Sequence, residues 1–158
     1  MTDKPSAEDT ALWQRRLAGQ ANNRAWTLAE APSRSSDEDE EMLQAAHAAA
    51  FFWRAVGNQG NQAHAAQLLA HVYALLKLPN PAAHFLAKSQ PLFLAGECEP
   101  WEEALAHAVA ANVASARKDH AAHAQHYRKA LELTAALADP QDRDMLEATL
   151  RVLPVPSP

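Results

Sequence analysis

Histidine is the residue type in this chain with the widest capacity for chemistry. The sequence contains eight histidines but only one cysteine. The histidines are His47, His64, His71, His84, His107, His120, His123 and His126. Imidazole nitrogens bind metal ions and exchange protons near neutral pH, so histidines that share one helix face are candidates for either role.

The densest group is His120, His123 and His126, each three residues from the next. Residues three or four apart share a helix face, so neighbouring members of this group could share an ion. The outer two, however, lie roughly 120° apart around the helix axis. No carboxylate completes the set, and the His-Glu-x-x-His arrangement of zinc enzymes is absent. The spacing favours two surface histidines plus His123 in a gap between helices, with metal binding as the alternative.

A second group combines His64, Gln67, His71 and Leu75, which follow one another at steps of three and four residues. This spacing places all four on one stripe of a single helix. The stripe is polar where the surrounding residues are mostly alanine and leucine. It is therefore the best candidate in the sequence for a surface that contacts another molecule.

The remaining candidates for catalysis are weak. Cys98 stands between Glu97 and Glu99, whose charges raise the pKa of its thiol and reduce its nucleophilicity. The sequence contains no glycine-rich phosphate loop and no Gly-x-Ser-x-Gly. We expect a protein that is not an enzyme and that uses no cofactor.

Composition predicts the fold class. The 158 residues suit one domain, 48% of them are apolar, and isoleucine is absent. Alanine is abundant and is the strongest helix former, so we expect an all-α protein. A net charge of −5 argues against a nucleic-acid partner. No segment is apolar for long enough to span a membrane, and the first residues lack the pattern of a signal peptide, so we expect a cytoplasmic, bacterial-type protein.

Hydrophobic periodicity and capping residues predict about seven helices in a single domain, residues 1–158. We expect an N-terminal helix at 6–30, an acidic loop and cap at 31–41, a helical core at 42–138, a capping helix at 139–152 and an extended proline-rich tail at 153–158. Ser35 and Glu38 have the spacing of a capping box. Asn80 is predicted to cap a helix that Pro91 interrupts near Ser89 and that Gly96 ends.

The central pair of predicted helices, from about residue 63 to residue 94, carries a spaced pattern of small and large residues. Ala66, Leu69-Ala70, Tyr73, Ala82 and Leu86 resemble the signature of the tetratricopeptide repeat (TPR), a helical hairpin of about 34 residues. Ala48 falls one such period before Ala82, and His123 falls 41 residues after it. The resemblance covers about residues 43 to 137.

The resemblance to TPR proteins implies a fold of antiparallel hairpins stacked as a short right-handed solenoid, and a function in protein interaction. It implies that the first helix of each hairpin lines a concave groove that binds a peptide or a helix. The predicted partner-binding residues are His64, Gln67, His71, Leu75, Asn112 and Ser115. Packing of this stripe against the N-terminal helix is an equal alternative, because that helix would cover the groove.

Two further interpretations follow from the same pattern. The apolar surface around Phe51, Trp53 or Trp101 could form a homodimer, since short repeat arrays expose end surfaces that need covering. His107 and Tyr127 are predicted to face each other inside a hairpin and to form a hydrogen-bonded pair, because a buried histidine needs a partner.

Overall fold

The computed structural model describes residues 4–95 and 97–158, and within them the chain forms seven α-helices and no strand. The helices α1 to α7 span Ala7–Ala29, Ser36–Val56, Gln59–Leu75, Pro79–Phe93, Pro100–Ala116, His120–Ala136 and Pro140–Arg151. The prediction of an all-α fold is confirmed. No described helix combines the length and the hydropathy needed to cross a membrane.

Short polar side chains begin several of these helices, as the sequence predicted. Ser35 and Glu38 form a capping box at the start of α2, where each side chain bonds the backbone N–H of the other residue. Asp119 accepts from the N–H of Ala122 and so caps α6. These contacts satisfy N–H groups that lack a partner within the helix.

Helix α4 differs from its prediction. It begins at Pro79 with Leu78 as the N-cap, so Asn80 is not the cap. It also continues through Pro91 to Phe93 instead of restarting near Ser89. Proline is tolerated here because it lies in the last turn, where its missing N–H removes one hydrogen bond from a helix that is about to end. The predicted stop at Gly96 lies outside the described residues.

The helices pack as consecutive pairs. Each odd-numbered helix packs most extensively against the even-numbered helix that follows it, in the pairs α1–α2, α3–α4 and α5–α6. The odd-numbered helices also contact one another in order, from α1 to α3, α3 to α5 and α5 to α7. They form a continuous row, here called the odd-helix face. The residue pattern did not predict that α1 is the partner helix of α2.

The second and third pairs repeat each other. Helix α5 begins 41 residues after α3, and α6 begins 41 residues after α4. Helices α3 and α5 also have the same length of 17 residues. This offset equals the 41-residue spacing that the sequence pattern predicted between Ala82 and His123.

The turns inside these two pairs are built in the same way. Lys77 and Lys118 have left-handed backbones, with φ of 58° and 61°. The N–H of the next residue donates to the carbonyl five residues earlier, Tyr73 in one turn and Ala114 in the other. This bonding is a Schellman motif, which usually has glycine at the left-handed position.

Small residues allow the helices to approach closely. Of the clusters of buried apolar residues, the two largest lie between α1, α2 and α3 and between α3, α4, α5 and α7. In α2 the buried residues are Met42, Ala46 and Ala49, whereas Phe51 is 68% exposed. Phe51 therefore lies outside the buried face of α2.

Candidate functional site

A cavity of about 420 Å³ opens on the odd-helix face. Three of the four tryptophans in the chain line it: Trp26 from α1, Trp53 from α2 and Trp101 from α5. The other lining residues are Asn22, Asn23, Glu30, Asn61, His64, Leu105, Met145 and Thr149. We call it the tryptophan cavity. Aromatic walls with a few polar groups, at this volume, are typical of sites that bind small molecules or single side chains.

A larger cavity of about 800 Å³ lies at the C-terminal ends of α1, α3, α5 and α7. Four cationic side chains line it: Arg34, Lys77, Lys118 and Arg151. Glu30 lines this cavity as well as the tryptophan cavity. We call it the basic cavity. The two cavities thus adjoin at one carboxylate and differ in charge.

An aromatic contact between α1 and α3 borders the tryptophan cavity. The indole ring of Trp26 stacks on the imidazole ring of His71, with centroids 5.3 Å apart and planes 27° apart. His71 is fully buried as a result. In the sequence, Trp26 falls off the stripe that Trp13, Leu17, Ala21, Ala25 and Leu28 form at steps of four and three residues. That position predicts that Trp26 covers a neighbouring element, and its contact with α3 confirms the prediction.

His71 is paired with the residue at the same position in the next hairpin. Nδ2 of Asn112 lies 3.1 Å from Nδ1 of His71 and 3.3 Å from its carbonyl oxygen. An amide nitrogen can only donate, so Nδ1 accepts and the imidazole proton is on Nε2. Burial lowers the pKa of His71 to about 3, and the charge of Arg34 acts in the same direction. His71 is therefore neutral at physiological pH and fixes the spacing of α3 and α5.

The six residues predicted to bind a partner do not share one open surface. Gln67, His71 and Asn112 are at most 2% exposed. Trp26 covers His71 and neighbouring helices enclose Gln67, whereas Asn112 also lines the basic cavity. Of the remaining three, His64 lines the tryptophan cavity, whereas Leu75 and Ser115 line the basic cavity. Contact between any of the six and a partner stays a prediction.

His64 is held in place on the wall of the tryptophan cavity. Its Nε2 lies 2.7 Å from Oε1 of Glu102, in a contact where the side chains are 30% and 18% exposed. Its ring is nearly parallel to that of Trp101, with centroids 5.5 Å apart and planes 10° apart. A histidine oriented by a carboxylate can act as a base. Among the described residues, however, no serine or cysteine lines this cavity.

Glu30 supplies the negative charge of the tryptophan cavity. It follows the last residue of α1 as its C-cap. Burial raises the pKa of its carboxyl group, and the charge of Arg151 opposes this effect. Arg151 itself lines the basic cavity and not the tryptophan cavity. Of the described lining residues of the tryptophan cavity, Glu30 alone is aspartate, glutamate, lysine or arginine.

No family model matches this chain, and neither a curated protein nor a solved structure shows significant similarity to it. The resemblance to TPR proteins therefore rests on the residue pattern and stays a prediction.

Three other histidines make polar contacts within the structure. His107 and His126 face each other with their Nδ1 atoms 2.9 Å apart, and burial lowers the pKa of both. The predicted pairing of His107 with Tyr127 is therefore wrong by one residue. His123 is buried, as predicted, and its Nε2 donates to the carbonyl of Pro154 at 2.8 Å, which holds the proline-rich tail against α6.

Cysteine and metal chemistry receive little support from the geometry. The pKa of Cys98 is raised, first by burial and then by the charges of nearby glutamates such as Glu102 and Glu103. This agrees with the predicted direction. Within residues 4–95 and 97–158, no three His, Cys, Asp or Glu side chains converge in a way that could hold a metal ion.

The sequence did not predict the tryptophan cavity. Trp53 and Trp101 were considered for a homodimer surface, and Glu30 was interpreted as the end of the N-terminal helix. One residue of the cavity did stand out in the sequence, because Trp26 falls off the apolar stripe of its helix. The cavity itself joins residues from Asn22 to Thr149, so only the packed chain brings them together.

Proposed function

We propose that this chain is a short, right-handed TPR-like solenoid and that it acts as a non-catalytic interaction module. In this proposal a segment of another protein binds along the odd-helix face, with the tryptophan cavity as its main anchor. A cytoplasmic location in a bacterial-type cell is part of the proposal and rests on composition alone.

The observation that carries the proposal is the cavity itself, placed on a face made by repeated hairpins. Helices α3 and α5 share their length, their turn geometry and their order of packing. Repeated helical pairs stacked in sequence create extended surfaces for other chains. The 41-residue offset in place of about 34, and the histidine at the position of Ala82, are departures from the TPR pattern.

Two features favour a peptide over a compact small molecule. The tryptophan cavity and the basic cavity adjoin at Glu30, and together they follow the row of odd-numbered helices. An extended segment could place one side chain in the first cavity and an acidic group near the cations of the second. Buried aromatic anchors with a polar surround are typical of protein interfaces.

Selection from a random peptide library against the full chain tests this proposal. Asn22 lines the tryptophan cavity, so Asn22→Phe places a ring in the space that an anchor would occupy. We expect the selected peptides to bind this variant at least about tenfold more weakly than the original chain. Gln20→Phe is the matched control, because Gln20 is an exposed residue of the same helix and lines neither cavity. The proposal fails if no peptide is enriched, or if both variants bind the peptides equally well.

A homodimer is the second candidate function. Phe51 is 68% exposed and borders a third cavity, of about 570 Å³, together with Phe85 and Leu92. An exposed aromatic ring beside an apolar hollow is a surface that a second copy could cover. Sedimentation of the full chain tests this candidate. A dimer that Phe51→Glu dissociates, and that the exposed control Ala55→Glu leaves intact, would support it.

A further inference from the structure

We infer that the tryptophan cavity takes the guanidinium group of an arginine side chain, with the carboxylate of Glu30 as its counter-ion. This inference rests on the proposed function, because the arginine would belong to the peptide segment that binds the odd-helix face.

The walls of the cavity match a flat cation. Three indole side chains line it, and aromatic faces attract cations through their electron density. Arginine suits such a site better than lysine does, because its planar group stacks on rings and loses less hydration on burial. The amides of Asn22 and Asn23 are further lining groups that can accept the five N–H donors of a guanidinium.

The charge of the site points in the same direction. No lysine or arginine is among the described lining residues, whereas Glu30 is one of them. Behind the wall, Glu102 contacts His64 at 2.7 Å and adds a second carboxylate close to Trp101. Arg151, whose charge acts on Glu30, lines the adjoining basic cavity instead. An acidic group bound in this cavity would therefore lie beside charge of the same sign, whereas a basic group would lie beside charge of the opposite sign.

The raised pKa of Glu30 indicates what a bound cation would change. Burial raises the pKa of its carboxyl group, which means that the charged form is incompletely compensated by its present surroundings. A cation placed beside it would remove this imbalance and gain a charge-assisted hydrogen bond. A neutral side chain of the same shape would gain neither.

Three blocked peptides that differ at one central residue test the inference: arginine, citrulline and lysine. Citrulline keeps the shape of arginine and removes its charge. Binding to the full chain is followed by tryptophan fluorescence in a Trp13→Phe background, because Trp13 is exposed and lies outside the cavity. We expect the arginine peptide to bind at least about tenfold more tightly than the citrulline peptide, with lysine between them.

Glu30→Gln tests the counter-ion. We expect it to reduce the preference for arginine over citrulline to less than about threefold, while Glu132→Gln, an exposed control on α6, leaves the preference unchanged. Circular dichroism confirms that both variants fold. Because citrulline changes only the peptide, that comparison stands even if a protein variant proves unstable.

The outcomes separate this inference from the proposed function. Equal binding of the arginine and citrulline peptides overturns the inference, as does a preference that Glu30→Gln leaves intact. Library peptides that bind without arginine, yet lose affinity in Asn22→Phe, overturn the inference and support the peptide-binding proposal. If N-acetylarginine amide binds as tightly as the peptide, and with the same dependence on Glu30, the guanidinium site is supported and the peptide-binding proposal fails.

Discussion

Substitution of Gln67 tests how much a buried polar side chain costs in the core of this protein. Its side chain is 1% exposed, and both of its amide atoms lack a hydrogen-bond partner among the described residues. Methionine has nearly the same length and shape but no polar amide. A buried polar group without a partner costs about 1–3 kcal/mol, so we expect Gln67→Met to raise the free energy of unfolding by about 1–3 kcal/mol.

Asn112 is equally buried but should respond in the opposite direction. Its amide donates to His71, and Asn112→Leu would leave the ring nitrogen Nδ1 of that residue without a partner. We expect a loss of about 1–3 kcal/mol in the free energy of unfolding. Gln44→Met, at an exposed position of α2, should change it by less than about 0.5 kcal/mol.

Urea denaturation of the full chain, followed by circular dichroism at neutral pH, measures all three variants. The slope with denaturant should not change, so that a shift of the midpoint reports stability alone. If Gln67→Met is no more stable than the original chain while Asn112→Leu is destabilised as expected, the reasoning fails. The amide of Gln67 would then have hydrogen-bond partners in solution, and Gln67 would belong to the same network of polar contacts as His71 and Asn112.

Three other predictions concern the backbone and pH. Lys77→Gly should raise the free energy of unfolding by roughly 0.5–1 kcal/mol, since the left-handed backbone with φ of 58° strains any residue with a Cβ atom; urea denaturation measures it. Gly57→Ala should lower the same quantity by about 1–3 kcal/mol, because the new Cβ would lie 2.6 Å from the carbonyl oxygen of Trp53. Gly19→Ala, with nothing within 4 Å, should instead be stabilising, and the reasoning is contradicted if both alanines act alike. Stability should also fall as the pH drops from about 6.5 towards 3, because the unfolded chain binds a proton on His71 that the folded chain excludes. Denaturation at several pH values should show a smaller fall in His71→Gln, and an unchanged fall would assign the effect to other groups.

The position of Trp26 links folding to binding. The same side chain stacks on His71 and lines the tryptophan cavity. Helix α1 must therefore dock on α3 before the cavity exists. Met145 and Thr149 of α7 complete its lining, so both ends of the described chain contribute to one site.

Helix type and most helix ends follow from the sequence. Alanine content excludes a sheet, and Ser35, Pro100, Asp119 and Pro140 mark helix starts because their effects are local. Local chemistry also predicts the raised pKa of Cys98 in direction, although burial proved a larger cause than the glutamates. The cap of α4 was placed two residues too late, because Asn80 and Pro81 form as good a local start as Leu78 and Pro79 do.

Rotation of a helix about its own axis depends on its neighbours, and alanine-rich helices specify it weakly. Phe51 is apolar and yet exposed, because Met42, Ala46 and Ala49 form the buried face of α2. His107 was predicted to contact Tyr127, but it contacts His126, the preceding residue of α6. Small side chains on several faces leave more than one rotation free of clashes, and packing selects among them.

The sequence by itself determined that this chain is helical, where most of its helices begin, and that its middle repeats. The tertiary structure alone decided that Trp26 covers His71 and lines the tryptophan cavity. It also decided that Glu30 lines the same cavity as three tryptophans. These residues lie far apart in the chain, and no local preference encodes their meeting. They come together because α1, α3, α5 and α7 pack in a row, and that packing depends on every interface at once.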